Sequence, residues 1–270
     1  MTTPTRFLFP SDYFNPKQVD EAYLKEVDCL QRVGFKTSVV SWQTWNLGSS
    51  KIFPQPEQGT EVIYRGWMLS ADNYLLLINA VRNAGAKVFI SHEEYLRAHY
   101  LPNWYPLICD LTPATHFFSI DDDHESALSE LGWSRFFVKD YVKSLKTSVG
   151  AIINEPSAIR TVMAQMQKFR GIVEGGICVR QVEDFIKETE KRYFVICGRS
   201  FAALPDEEIP LVVQECAKRI NSKFFSVDVV ERTDGEERIV EIGDGQVSDL
   251  VGWTAERFAE LWIEIARASR

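Results

Sequence analysis

No two cysteines in this chain are spaced as CxxC, and none of its four histidines stands at zinc-ligand spacing from a second donor set. The five cysteines (Cys29, Cys109, Cys178, Cys197, Cys216) are scattered through apolar contexts, which predicts buried reduced thiols in a cytosolic protein. His92 and His99 lie seven apart and read, with His116 and His124, as ordinary surface or interface positions, which disfavours a zinc hydrolase. Neither GxxxxGK[ST] nor GxGxxG occurs, so the common glycine-rich phosphate loops are excluded. There is no Ser-His-Asp or Cys-His signature. Positive charge is also short: a formal balance of −8 argues against a nucleic-acid partner held by bulk electrostatics, although a local basic pocket for a nucleotide is compatible with it. No apolar run is long enough to span a bilayer, and Met1-Thr2-Thr3-Pro4-Thr5 lacks the basic and apolar regions of a secretory signal. The expectation is a cytoplasmic protein without a membrane partner.

What is present is the composition of a folded chain. With 45% hydrophobic residues over 270 positions, one large core or two modest ones can be buried. Phe7-Leu8-Phe9 reads as a strand, Val19 to Val33 as a helix stopped by Gly34, and Lys36 to Ser41 and Glu61 to Arg65 as further strands. A helix over Asn73 to Asn83 and a strand over Lys87 to Ser91 continue the alternation. That order predicts a parallel α/β sheet, with Ser11, Asp12, Arg65 and Gly66 beyond its strand ends near a cleft. The three prolines between Leu101 and Pro113 suggest a connection between domains.

Beyond it the pattern becomes α+β. Helices are expected at Asp123 to Leu131, at Ser157 to Phe169 with Ser157 as cap, at Ile209 to Ile220 and at Thr254 to Ala268. Strands are expected at Arg135 to Asp140, Gly176 to Val182, Lys191 to Cys197, Phe224 to Arg232 and Arg238 to Ile242.

Three groups of residues point to chemistry. Asp228 and Glu241 each interrupt an apolar strand, and the turn Thr233-Asp234-Gly235 joins the two. Facing residues of paired strands come within ~5 Å, so these carboxylates would share one face. An uncompensated acid there is costly, and Mg²⁺ suits hard oxygen donors that leave room for substrate phosphates. Asp244, between two glycines, also reads as a simple turn residue. The second group is Lys139, closing the apolar run Phe136-Phe137-Val138, followed by Lys143, Ser144 and Lys146. Lysine and hydroxyl donors on a loop can close over a polyphosphate, whereas surface lysines in general are merely solvated. The third is Arg180 and Arg192, alternating with apolar residues in strands. Arginine matches phosphate or carboxylate in a fork, and an ion pair with Glu183 or Glu190 is the plain alternative.

In this order the three groups resemble the ATP-grasp superfamily, most nearly a clade in which lysines and arginines replace the glycine-rich loop. The matching residues are Phe137-Val138-Lys139, Val179-Arg180-Gln181-Val182-Glu183, Glu190-Lys191-Arg192, Asp228 and Glu241, within Arg135 to Asp249. The resemblance implies an α/β domain over residues 1–112 ahead of an ATP-grasp domain over 113–270, the latter made of two α+β subdomains (about 113–183 and 184–270) with ATP between them. It implies that Lys139 and Arg192 contact phosphates, that Lys143, Ser144 and Lys146 belong to a closing loop, and that Gln181, Val182 and Glu183 form the adenine-binding hinge. Asp228 and Glu241 would hold Mg²⁺. The family's metal-binding Asn falls on Gly243, with Asp244 a replacement one residue along. Gln246 and Ser248, with Asp12, Arg65 and Arg180, would lie toward the acceptor.

The implied activity is an ATP- and Mg-dependent carboxylate-amine ligase working through an acylphosphate on an amino acid, peptide or protein carboxylate. A kinase acting on a hydroxyl and a degenerate nucleotide-binding module are the alternatives.

Overall fold

The computed structural model describes residues 5–41, 51–142, 151–170 and 173–268. Lys143, Ser144 and Lys146 lie outside the described residues. The first sheet has the order β3-β2-β1-β4-β5, built from β1 (Thr5–Pro10), β2 (Lys36–Val40), β3 (Ile52–Phe53), β4 (Glu61–Tyr64) and β5 (Lys87–Val88). β1 runs parallel to β2 and β4, β4 runs parallel to β5, and the short β3 is the antiparallel edge. Phe7, Leu8 and Phe9 are all fully buried, as a central parallel strand covered on both faces requires. The crossovers are α1 (Leu24–Arg32), entered through a 3₁₀ turn at Glu21–Tyr23, and α2 (Ala71–Asn83), capped by Ser70.

The segment expected to be a linker is instead helical. α3 (His92–His99) starts with a Ser91/Glu94 capping box, and α4 (Leu101–Ile108) follows almost directly. Pro102 sits in the first turn of α4, where its missing N–H would be unpaired in any case. Leu101, Trp104 and Ile108 are buried with Val195, Phe225 and Val227. Burial of these apolar residues, spaced three and four apart, outweighs the proline signal. His99 is buried too, stacked on Tyr95, and His124 is buried, so neither lies at the surface. Cys109 and Cys197, by contrast, are exposed rather than buried.

The second sheet has the order β6-β9-β7-β8, all antiparallel, from β6 (Thr115–Phe118), β7 (Phe136–Asp140), β8 (Ile152–Ile153) and β9 (Ile177–Gln181). α5 (His124–Glu130) and α6 (Ile159–Arg170) cover one face, where Leu128, Phe136, Val138, Val162, Met166 and Val179 pack together. Ser157 does not cap α6, since it lies inside a one-turn 3₁₀ helix, Pro156–Ala158, that precedes it. The alternation of β7 therefore turns Phe137 and Lys139 to the opposite face.

The third sheet, β11-β10-β12-β13, comprises β10 (Phe185–Ile196), β11 (Arg199–Phe201), β12 (Phe224–Arg232) and β13 (Glu237–Asp244). The β12–β13 hairpin turns at Gly235, whose φ of 88° is comfortable only for a residue without Cβ. α7 (Leu211–Arg219) packs on one face of this sheet. On the other lies α8 (Ala255–Ala268), whose Phe258 and Trp262 bury Phe194 and Phe224 and reach Phe7 and Phe89 of the first sheet. The fold is α/β plus α+β, as the sequence pattern implies.

Candidate nucleotide and metal site

Strand register brings the principal candidates together. Asp228 on β12 faces Glu241 on β13 and Arg192 on β10, so the three stand in one row across three strands. A register shift between Asp228 and Val229 places Val240 as an extra residue beside this row. From the second sheet comes Lys139, whose Nζ lies 3.4 Å from Glu241 Oε1. The lysine side chain is only 5% exposed while that of Glu241 is 47% exposed, so the lysine is the fixed partner and the carboxylate is open to ligands.

Arg192 meets Asp228 in a fork: Nε donates to Oδ1 at 2.7 Å and Nη2 to Oδ2 at 2.6 Å. Its remaining Nη1 donates to the Asp249 carbonyl at 2.8 Å. Burial is the largest influence on Arg192 and disfavours its charge, yet the Asp228 hydrogen bonds together with the charges of Asp228, Glu241 and Asp249 hold the guanidinium above its ordinary value. Burial pushes the Asp228 carboxyl up, partly offset by the same bonds. The short two-pronged geometry favours the charged pair. For Glu241, partial burial is overcome by the charges of Lys139, Arg192 and Arg180, which hold its carboxyl below the usual range.

Arg180 is near this row but already committed. Nη1 donates to the Val240 carbonyl at 2.5 Å, Nε to Thr115 Oγ1 at 3.3 Å, and Nη2 to Thr112 Oγ1. Burial lowers its pKa to about 10, so it remains cationic at neutral pH. The geometry therefore makes it a brace between the second sheet and β13. Glu183 receives Arg238 at 3.1 Å through two nitrogens. The hinge donors are also engaged: Gln181 N–H reaches the Ala114 carbonyl at 2.8 Å and Val182 N–H the Arg135 carbonyl at 3.4 Å.

Asp244 does not stand with Glu241. It is three residues further along β13, on the face where the chain packs against Tyr74 and Tyr95, and it is fully buried. Oδ1 accepts from the Gln246 N–H and side-chain amide at 3.0 and 3.1 Å, while Oδ2 has no partner among the described residues. Burial, opposed by the Gln246 donors and more weakly by the Arg65 charge, pushes the carboxyl up to about 8. Fully buried on the face away from Glu241, it does not share a space with that carboxylate.

Gly243 is the position on the Asp228–Glu241 face, and it is closed. A Cβ built there would lie 2.9 Å from Ser248 Oγ and 3.1 Å from Ser226 Oγ. The two hydroxyls are hydrogen-bonded to each other at 2.7 Å, filling the space an asparagine would need.

The acceptor candidates are likewise internal. Arg65 is 1% exposed and binds Glu26 through two 2.9 Å hydrogen bonds, with further bonds to the carbonyls of Gly245 and Ser248. Gln246 accepts from Tyr64 N–H and donates to the Tyr74 hydroxyl. Asp12 is half-buried, and its Oδ1 accepts from the N–H groups of Phe14 and Asn15 in a local turn. These residues join the first sheet to the loop after β13 or shape a surface turn.

Among the described residues no cluster of three or more His, Cys, Asp or Glu forms a metal cage. The donor set still fits one kind of ion. Mg²⁺ is commonly held by one or two carboxylates and completed by substrate phosphates and water. Glu241 offers such a carboxylate, and Asp228 a second whose lone pairs are shared with Arg192.

Residues the sequence reading passed over include Cys178, which faces Lys139 in register. Burial pushes its thiol up to about 12, so it is a neutral filler. Thr112 and Thr115, the Arg180 partners, carry no local signal because their contacts span more than sixty residues.

Residues 130–265, just over half of the chain, match the family described as ATP-grasp domain, R-2-K clade family 3, and the protein belongs to that family. The chain matches no curated protein by sequence. In fold it is similar to D-cycloserine synthetase DcsG (13% identity, TM-score 0.62, covering 96% of this chain and 99% of that one). It is also similar to ATP-grasp ligase PsnB solved with a phosphomimetic variant of its minimal precursor, Mg and ADP (13% identity, TM-score 0.63, 98% and 97%). A third similar structure is D-alanyl-alanine synthetase A from Vibrio cholerae O1 (12% identity, TM-score 0.60, 98% and 97%). At these identities the likeness concerns the fold.

Proposed function

We propose that this protein is an ATP- and Mg-dependent carboxylate-amine ligase that activates a carboxylate as an acylphosphate and joins it to an amine. The observation that carries the reading is the Lys139–Glu241 contact between the second and third sheets, continued across the third sheet by Asp228 and Arg192. The division at about residue 112 into an α/β part and an ATP-grasp part is kept within this proposal, with ATP between the two later sheets. The donated carboxylate belongs to an amino acid, a peptide or a protein end; PsnB and the macrocyclase MdnC, both of similar fold, were solved with precursor peptides.

Lys139 and Arg192 supply fixed positive charge where the transferring phosphoryl group gathers negative charge, and Glu241 with Asp228 would hold Mg²⁺. The ion would neutralise and orient phosphate oxygens. Arg192 is positioned in advance by Asp228 and by the Asp249 carbonyl, so no reorganisation is needed at the moment of transfer. Lys143, Ser144 and Lys146 are retained in the proposal as the phosphate-covering loop. The main chain of Gln181, Val182 and Glu183 is the adenine edge in this reading.

Incubation with ATP, Mg²⁺ and pooled amino acids should release ADP and phosphate. AMP and pyrophosphate would refute the acylphosphate route, and ADP with a phosphorylated product but no free phosphate would identify a kinase. The closed space at Gly243 favours one other reading, a nucleotide-binding module without turnover. An ATP-induced rise in Tm that persists in Glu241→Ala and without Mg²⁺ would select it.

A further inference from the structure

Beside Asp249 and Trp253, the two residues bonded to Arg192 by its main chain or theirs, an open groove of about 370 Å³ runs between the first sheet's α1 region and the loop after β13. Tyr23, Glu26, Trp67, Asp249, Leu250 and Trp253 are among its lining residues. The aromatic rings form a fixed wall. Trp67 meets Tyr23 edge to face at 5.3 Å, and its indole N–H donates to Asp20 at 3.2 Å. Trp253 is anchored by its indole N–H on the Arg192 carbonyl at 2.8 Å and by an edge contact with Phe194. Trp67 is nevertheless 47% exposed, a large apolar face held in place with little covering it.

The charges around this wall differ in availability. Both oxygens of Glu26 are taken by Arg65 at 2.9 Å. Lys25 also lines the groove, and its ammonium is paired with Glu256 at 3.6 Å. Asp249 is exposed, and among the described residues its carboxylate has no hydrogen bond or ion pair, although its main-chain carbonyl accepts from Arg192. One uncommitted negative group beside a rigid aromatic wall selects a cation with an apolar body and repels an anion.

We infer that this groove receives the amine substrate, as a primary ammonium paired with Asp249 whose aromatic or broad apolar body lies against Trp67 and Tyr23. The inference rests on the ligase reading and adds to it the chemical class of the acceptor. It also separates the two substrates. The donor carboxylate belongs on the Lys139 side of Arg192, where positive charge is concentrated, and the amine belongs on the Asp249 side.

The test is calorimetric titration of the nucleotide-free protein with 2-phenylethylamine, 2-phenylethanol and phenylacetate, alongside the Tm shift produced by Mg-ATP. The amine should bind saturably and at least about tenfold more tightly than the alcohol, with the acid weakest, as a charge-assisted hydrogen bond implies. Asp249→Asn keeps the main-chain carbonyl and should bring the amine to the affinity of the alcohol, while Trp67→Ala should weaken amine and alcohol alike. Absence of amine binding, equal affinity for the acid, or an unchanged amine affinity in Asp249→Asn overturns the assignment. Because Mg-ATP is scored separately, its failure to shift Tm would refute the ligase reading, and with it the acceptor role. Failure of the amine with an intact ATP shift would remove only the groove.

Discussion

Arg192 and Asp228 face each other across β10 and β12 and are joined by two parallel hydrogen bonds of 2.7 and 2.6 Å. Both side chains are largely buried, so each depends on the other for its charge. Asp228→Ala should cost roughly 3–5 kcal/mol, because an uncompensated guanidinium is left in the sheet. Urea denaturation measures the loss, and Asp228→Asn should recover part of it by keeping one acceptor oxygen. A cost no larger than that of an exposed ion pair would contradict this picture.

Lys139→Met removes the charge while preserving much of the side chain's length and apolar body. The variant should fold, and its affinity for Mg-ATP should fall roughly tenfold or more. The Glu241 carboxyl should also titrate higher, since Lys139 is the largest of the charges holding it down. Calorimetry and NMR titration of the carboxyl are the respective measurements, and unchanged ATP affinity would remove Lys139 from the site.

Asp244 gives a pH dependence with a definite sign. An aspartate in the unfolded chain titrates near ~4, whereas burial raises this one to about 8 in the fold. Between those values the folded chain keeps a proton that the unfolded chain has lost. This group's contribution therefore makes stability fall as pH rises from about 4 toward about 8. Asp244→Asn should flatten that slope and raise Tm at pH near the upper end. A slope identical to that of the parent would show that Asp244 is ionised in the fold.

Gly243→Asn introduces a Cβ 2.9 Å from Ser248 Oγ and should destabilise by about 1–3 kcal/mol through overpacking. Adding Ser248→Gly should relieve most of the cost. If the relieved double variant also binds Mg²⁺ with ATP more tightly, the asparagine acts as a third ligand. Thermal melts and Mg²⁺ titrations distinguish the two effects.

Arg65→Met tests the change of role from substrate contact to internal clamp. It should destabilise by roughly 3–5 kcal/mol, since Glu26 loses its buried partner. ATP affinity of the folded fraction should not change. A KM effect without a stability effect would restore Arg65 to the substrate.

The residues legible in the sequence were those whose meaning is local. Asp228 and Glu241 each break an apolar strand next to an identifiable turn, so their pairing follows from a hairpin register. Lys139 could be read because a charge inside an apolar strand needs a partner. The same rule reaches Arg180, whose bonds are to the chain itself; Arg65, placed by its strand end, and Gln246, placed by the resemblance, are likewise bonded within the chain. A polar group in an apolar run shows that it has a partner, but not whether the partner is a ligand or the chain itself. For Arg65 the partners include carbonyls some 180 residues away, which no local pattern contains. Asp244 failed for a geometric reason, since a position three along a strand faces the opposite side from Glu241. In α4, the prolines outvoted the apolar spacing of Leu101, Trp104 and Ile108, although one of them occupies a permitted first-turn site.

Trp262 sits 5.3 Å from Phe7 and 5.1 Å from Phe224, making one apolar interior of the opening strand and the closing helix. A chain cut near residue 112 would leave that helix with a bare aromatic face and would strip Arg65 from the loop that follows the acidic hairpin. The part after residue 112 is thus not a transferable module: its last helix is completed by Phe7 and Phe89 of the earlier part, and a fragment lacking them should aggregate.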